Sequence, residues 1–249
     1  MSSKQQNQDH PRRERQSILP AAYCLLPAVV VLLLTAHCSL LTAQTVTDKM
    51  VASVTNGSRA TPDLISYSDL VWQLALEPNR PLVERPASAD LNHALRLLED
   101  QLLILQEARK LPTADTDTAR QEFDAAVGQK LKELTQAFGS RTKLEERMTQ
   151  VGLTSDQLNA ILRDRVTVEK YLDFRFRAFV LISPKEITDR YNQEYAQLRN
   201  SGRIVPTLEQ AHSRIEQMLT EEKITSEIDT FVDNLREQPG TEIVVISPV

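Results

Sequence analysis

Few residues of this chain are of the types that carry out catalysis or bind metal. Beyond residue 43 the sequence has two histidines, His93 and His212, and neither stands in the spacing of a two-histidine metal motif. Adjacent acids such as Glu145-Glu146 do not share a helix face, so they do not form a general acid–base pair. No nucleophile-elbow, phosphate-loop or dinucleotide motif occurs. We therefore predict no catalytic residue, metal, cofactor or small-molecule substrate. The two histidines are predicted to be solvated or to pack between helices.

One stretch, Tyr171–Phe179, alternates aromatic side chains with arginines. Proteins that bind single-stranded nucleic acid stack bases on aromatic side chains set in a positively charged groove. Charge argues against this role here. Residues 1–43 hold 4 of the 29 basic and 2 of the 34 acidic residues, so the rest holds 25 against 32, a net charge of −7. Because nonspecific binding requires the phosphates to be neutralised, we predict no nucleic-acid partner.

Two other interpretations of this stretch stay open. In the first, Leu172, Phe176 and Phe179 pack into the core at helical spacing, and the arginines face solvent. In the second, Tyr171 or Phe174 reaches into a groove and contacts a bound polypeptide. Three further apolar residues on predicted helices are candidates either for that contact or for the core: Leu102, Met218 and Phe231.

Residues 1–43 have the pattern of a targeting segment. A basic flank ends at Arg15, and no charged residue occurs from Gln16 to Thr47. A basic start followed by an apolar core is typical of a cleaved secretory signal, with Ala43 as a candidate cleavage residue. The uncharged run also exceeds the roughly 20 residues that span a bilayer, so residues 18–41 are equally a candidate inner-membrane anchor. Either way the positive flank predicts that residues 44–249 are exported, periplasmic, and either soluble or tethered.

Hydrophobic periodicity predicts helices over most of the remaining chain. Apolar residues recur every three or four positions over about 89–110, 116–138, 155–180 and 207–235. Capping boxes, in which two side chains bond free backbone N–H groups, are predicted to begin helices at Thr154, Ser183 and Thr207. Ser66 or Ser68, and Ser88, are further predicted N-caps.

Strand patterns occur near the two ends of this region. One lies at about 50–55, before the turn signal Asn56-Gly57, and one at about 243–246; Leu64-Ile65 is a third, shorter candidate. A lone strand leaves its backbone groups unpaired, so the first and last strands are predicted to pair. The predicted fold is therefore mainly α: a cradle of six or seven helices, closed by a small sheet.

The order of these segments resembles the N-terminal chaperone domain of SurA-type and PpiD-type periplasmic proteins. Four stretches carry the resemblance across residues 46–247: Asp48–Gly57, Ser68–Leu70, Leu95–Ala108, and Ile182–Ile187 with Tyr191. In that family a parvulin-type prolyl isomerase domain is inserted after the last of these helices. Here residues 197–205 join the two parts directly, which leaves no room for a domain. The chain also departs from the family at Ser58–Asp63, where the family runs straight from the turn into its next strand.

The resemblance implies a chaperone that has lost its catalytic insert. Its expected partners are unfolded exported polypeptides of the outer-membrane type, bound in an apolar helical groove. The expected contacts are Tyr171, Phe174, Leu102, Met218 and Phe231. Two alternatives stay open, namely residual peptidyl-prolyl isomerase activity, and a role as a membrane-anchored scaffold or subunit of an envelope complex.

Overall fold

The computed structural model describes residues 48–57, 61–112 and 116–249, and the predicted targeting segment lies outside them. Within these ranges three strands and seven α-helices follow one another, with one π-helical segment. Their order is β1 (Met50–Thr55), β2 (Asp63–Ser66), α1 (Tyr67–Ala75), α2 (Ser88–Ala108), α3 (Asp117–Ala137), α4 (Arg141–Gln150), α5 (Ser155–Leu172), the π-helical segment (Asp173–Arg177), α6 (Pro184–Asn200), α7 (Leu208–Glu237) and β3 (Glu242–Val245). Among the helices of the described part, none is long and apolar enough to cross a membrane.

The predicted pairing of the first and last strands is confirmed. β1 is the central strand of an antiparallel sheet ordered β2-β1-β3, and Ala52 pairs with Ile65 on one side and with Val245 on the other. The register against β2 shifts between Met50 and Ala52, so Val51 is the extra residue of a bulge. The Val51 carbonyl accepts instead from the backbone N–H of Ile246, at 2.7 Å. The chain is thus closed on itself, and the predicted mainly α fold with a small sheet is confirmed.

The sheet and its neighbouring helices enclose one apolar core. The buried face of β1 packs with α1 and α2, and Leu70 and Leu103 are inaccessible to solvent. The C-terminal end of α7 completes this core through Leu235. A second core lies between α3, α4 and α5 under Leu76, and it includes Leu144. Both cores arise because each helix carries an apolar stripe that must be covered.

The last two helices form a hairpin with its own small core. α6 packs antiparallel on the N-terminal half of α7, and Ile187, Tyr191 and Ile215 are buried between them. Residues 201–207 connect the two helices, and the Tyr191 hydroxyl donates a 2.7 Å hydrogen bond to the Pro206 carbonyl in this connection. At 1.5 Å per residue α7 is about 45 Å long, so one helix belongs to both the hairpin and the first core.

The three predicted capping boxes are confirmed, and Ser66 forms a fourth with Asp69. Two boundary predictions are wrong. Ser88 is the first helical residue and not the cap, because Ala87 occupies the N-cap position without a side-chain hydrogen bond. The helix predicted to reach about residue 180 leaves α-geometry after Leu172 and continues as the π-helical segment to Arg177. Apolar spacing does not distinguish these two geometries over five residues.

Candidate functional site

The C-terminal end of α2, the start of α3 and the last turns of α5 surround an open groove of about 600 Å³. We call it the apolar groove after the eight apolar or aromatic residues among the sixteen that line it: Leu105, Ala108, Leu111, Pro112, Ala119, Phe123, Tyr171 and Phe174. α2 ends at Ala108, and Pro112, four residues later, has no backbone N–H with which a helix could continue, so the chain leaves α2 at the rim of the groove. The groove therefore exists because α2 stops before it meets α3.

Two cations contact the Phe123 ring, which lines the groove on the α3 side. The Arg163 guanidinium lies 4.8 Å from the centre of the Phe123 ring, and the Lys170 ammonium lies 5.7 Å from it. Both cations come from α5, so they fix the ring between two helices through cation–π attraction. The Phe123 ring is therefore held half-buried and still lines the groove.

A cluster of one cation and two acids forms another part of the wall. Arg109 lies between Asp164 on α5, at 3.4 Å, and Asp63 on β2, at 3.8 Å. Burial raises the pKa of the Asp164 carboxyl above its usual range, and the Arg109 charge opposes this shift. The cluster ties the end of α2 to α5 and to the sheet, which keeps the two groove walls at a fixed spacing.

A second depression, of about 700 Å³, lies where the π-helical segment leads toward α6. We call it the hinge depression, and its apolar lining is Phe174, Phe176, Phe179, Val180 and Leu181. Phe174, Phe179 and Leu181 are 69%, 75% and 82% exposed. Phe174 lines both the hinge depression and the apolar groove, so the two adjoin at this side chain.

The π-helical segment explains why its aromatic side chains have different surroundings. The Phe176 ring packs edge-on against the Phe231 ring of α7, with the ring centres 5.5 Å apart. The Arg175 guanidinium lies 4.5 Å from the centre of the same Phe231 ring. Widening to π-geometry displaces the following side chains from the face that α5 presents to the core. Phe174 and Phe179 are thereby left in solvent, so the interpretation of Phe179 as a core residue is wrong.

The structure distributes the five predicted contact residues over three places. Phe174 lines the groove and is exposed, whereas Tyr171 lines the groove but is 8% exposed and packs against Phe231 at 6.2 Å. Burial raises the pKa of the Tyr171 phenol. Phe231 is half-buried against the first core. Leu102 packs against that core beside a smaller pocket between α1, α2 and α5, and Met218 is half-buried on α7.

Several residues of the apolar groove and the hinge depression were not singled out by sequence reasoning. Phe123 belongs to the apolar stripe of α3, which gives no sign that its ring faces an opening. Leu111 follows the periodic part of α2, and Leu181 precedes the Ser183 capping box. The one available signal was position, because both leucines stand in short connections where a core helix has already ended.

The described residues contain no cluster that could bind a metal ion. Across ranges 48–57, 61–112 and 116–249, no three His, Cys, Asp or Glu side chains come together as a metal site. His93 is exposed on α2, and His212 lies 3.6 Å from Glu216 of its own helix. No protein-family model matches the chain, and no curated protein matches it either.

Proposed function

We propose that residues 44–249 form a non-enzymatic chaperone domain that holds extended apolar segments of unfolded exported polypeptides. The observation that carries the proposal is the union of the apolar groove and the hinge depression at Phe174. Soluble proteins rarely leave a large contiguous apolar surface exposed unless it contacts a partner. Here Phe174, Phe179 and Leu181 are exposed on one short stretch of chain.

The dimensions suit an extended polypeptide. From Arg163 to Tyr171 the groove follows α5 for about 12 Å at 1.5 Å per residue. This length matches about four residues of extended chain, and the hinge depression adds room for more. The apolar half of the lining favours apolar side chains without requiring one sequence, as a holding chaperone needs, and charged residues make up most of the other half.

The energetics favour weak and reversible binding. Each large apolar side chain that leaves water contributes about 1.5–3 kcal/mol, and ordering of the bound segment offsets much of this. No phosphate-binding motif occurs in the chain, so the proposed cycle of binding and release needs no nucleotide. Release would follow when the client buries its own apolar surface elsewhere.

The resemblance to SurA-type and PpiD-type chaperone domains supports the same proposal. In that family the isomerase domain is inserted at the position where residues 201–207 here connect α6 to α7. The proposal is that this chain keeps the holding function outside the cytoplasmic membrane, soluble or tethered through residues 18–41, and lacks the isomerase.

Suppression of aggregation tests the proposal. Residues 44–249, at a severalfold molar excess, are expected to reduce light scattering from an unfolded outer-membrane protein as denaturant is diluted. Phe174→Ser removes the side chain shared by both depressions and is expected to weaken client binding about fivefold to thirtyfold. The matched control is Ile204→Ser, because Ile204 is fully exposed in the connection between α6 and α7.

Absence of suppression, or equal loss in both variants, would contradict the proposal. Capture of one stoichiometric partner without general client binding would select the envelope scaffold instead. A proline-peptide assay addresses the isomerase alternative, because uncatalysed isomerisation takes tens of seconds and any acceleration is readily measured.

A further inference from the structure

A pocket of about 250 Å³ lies inside the bundle of α3, α4 and α5. We call it the three-helix pocket. Its apolar lining is aliphatic: Val127, Leu131, Leu144, Met148, Leu158 and Leu162. Five of these six side chains are buried in the second core, and the exposed polar residues around them form the mouth of the pocket.

Gly128 leaves one side of this pocket open. It lies on α3 next to Val127, and a Cβ built on it would meet no atom within 4 Å. A glycine inside a helix costs roughly 0.5–1 kcal/mol relative to alanine, so the open space is obtained at the expense of helix stability. Gly128 lines the pocket and is exposed, so there is room for a larger side chain at this position.

The charges at the mouth are already neutralised. Arg141 bonds Glu145 at 2.7 Å, and Arg163 bonds Asp124 at 2.6 Å; all four residues line the pocket. An anionic ligand would have to displace a carboxylate from its arginine. An uncharged apolar group needs no such exchange, so the mouth favours a neutral ligand.

The ion pair between Arg163 and Asp124 also lines the apolar groove. It joins α5 to α3 and therefore separates the groove from the three-helix pocket. The groove and the pocket therefore meet at this ion pair, whose two side chains are about half exposed. Pocket and groove are adjacent along the same face of α5.

We propose that the three-helix pocket accepts one large uncharged apolar side chain, of the size of Leu, Met or Phe, from the segment bound in the groove. This inference rests on the proposed function and adds a position-specific preference to it. An apolar cavity of about 150 Å³ is large enough to bind benzene, so the volume here suffices for one such side chain. The Met148 side chain in the lining is flexible, so it can adjust to either a branched or an aromatic guest side chain.

The test uses the full chain and a series of dye-labelled host peptides. A guest position, moved stepwise along a Ser- and Val-rich host of ten residues, carries Leu, Met, Phe, Ser or Glu. At one position the three apolar guests are expected to bind about 10- to 100-fold more tightly than Ser or Glu, by fluorescence anisotropy.

Gly128→Leu is expected to fill the pocket and abolish this preference. The affinity for the Ser-guest peptide is expected to stay unchanged, and this unchanged affinity also shows that the variant is folded. The matched control is Ala125→Leu, one turn earlier on the exposed face of α3 and outside both the pocket and the groove. It is expected to keep the preference.

Two results overturn the inference in distinguishable ways. If the wild-type chain binds every peptide of the series with one affinity, or Gly128→Leu keeps the preference, the pocket has no such role and the proposed chaperone function stands. If no peptide binds and aggregation is not suppressed, the proposed function fails and the inference fails with it.

Discussion

Gly57 and Gly240 lie near opposite ends of the described chain, yet a Cβ on Gly57 would stand 3.0 Å from the Gly240 carbonyl oxygen. Both residues have positive φ, at 74° and 93°. The turn that follows β1 therefore packs directly on the turn that precedes β3. A side chain at either position would strain this backbone, and a side chain at position 57 would also meet the Gly240 oxygen. The closure of the sheet therefore depends on both glycines.

Gly57→Ala is expected to lower the free energy of unfolding by about 2 kcal/mol, because the left-handed backbone costs about 1–2 kcal/mol and the Gly240 carbonyl must also shift. Urea unfolding followed by circular dichroism measures this. Gly128→Ala is the control, since that glycine is helical with open space around it, and a gain of about 0.5–1 kcal/mol is expected. Equal effects of the two substitutions would show that the turns do not pack as described.

Gln106 connects α2 to the end of β1 from a buried position. Its amide oxygen accepts from the Asn56 backbone N–H at 2.8 Å, and its amide nitrogen donates to the Val54 carbonyl at 3.0 Å and to Asp63 at 2.8 Å. Gln106→Met keeps the length of the side chain but leaves these groups without that partner. A loss of about 2–4 kcal/mol in the free energy of unfolding is expected.

The control for this substitution is Gln136→Met on the exposed surface of α3, where a change below about 0.5 kcal/mol is expected. Chemical denaturation of both variants gives the comparison. A stable Gln106→Met protein would mean that water or a neighbouring side chain replaces the lost hydrogen bonds.

Arg236 fastens the end of α7 to α2. Its guanidinium contacts Glu99 at 3.0 Å and Asp100 at 2.7 Å, and the Arg236 and Glu99 side chains are only 19% and 10% exposed. Burial alone would lower the pKa of Arg236, but the hydrogen bonds to both acids outweigh it and raise the pKa. Arg236→Met strands a buried carboxylate, so a loss of about 3 kcal/mol is expected in urea unfolding.

The double variant Arg236→Met with Glu99→Met tests the cause of that loss. Replacing a buried ion pair by apolar side chains of similar volume is often neutral, so most of the stability is expected to return. If the double variant is as unstable as Arg236→Met alone, the stranded charge is not the reason.

We predict that acid destabilises the hairpin of α6 and α7 by protonating the Glu186 carboxylate. Its pKa is lowered to about 2 by the hydrogen bond from Lys223 and by the backbone N–H and hydroxyl of Ser183. The folded pKa lies below the value of 4.5 for the free side chain, so the stabilisation is present above about pH 4.5 and is lost as pH falls toward 2.

Thermal unfolding of the wild type and of Glu186→Gln measures this loss. The difference between their melting temperatures is expected to be largest near neutral pH and to shrink below pH 4.5. Titration of the Glu186 carboxyl carbon by NMR gives the pKa directly. A midpoint near 4.5 would mean that the contacts with Lys223 and Ser183 do not persist in solution.

The sequence was most informative where a local interaction decides the structure. Capping boxes at Thr154, Ser183 and Thr207 depend on side chains three residues apart, and all three form as predicted. The pairing of the end strands followed from the need to satisfy backbone groups. The prediction of Ser88 as an N-cap was wrong. Ala87 adopts the extended backbone of an N-cap without a capping side chain, so the helix begins one residue earlier than a side-chain cap would indicate.

The candidate site was predicted less completely, because its residues differ from core residues only in what lies opposite them. The sequence indicated that either Tyr171 or Phe174 reaches into a groove, and it did not decide between them. A π-helical segment of five residues leaves Phe174 exposed, while Tyr171, three positions earlier, packs against Phe231. Leu102 and Phe231 have the same apolar periodicity and face the core.

The amino-acid sequence by itself determined the helices, most of their starts and the two end strands, because each depends on neighbours within one or two turns. Only the tertiary structure decided where an apolar stripe stays uncovered. The end of α2, the turn of α5 into π-geometry and the open space at Gly128 create the groove and the pocket, and these openings arise from the spacing between helices. That spacing is set by contacts between residues far apart in sequence, which no local pattern records.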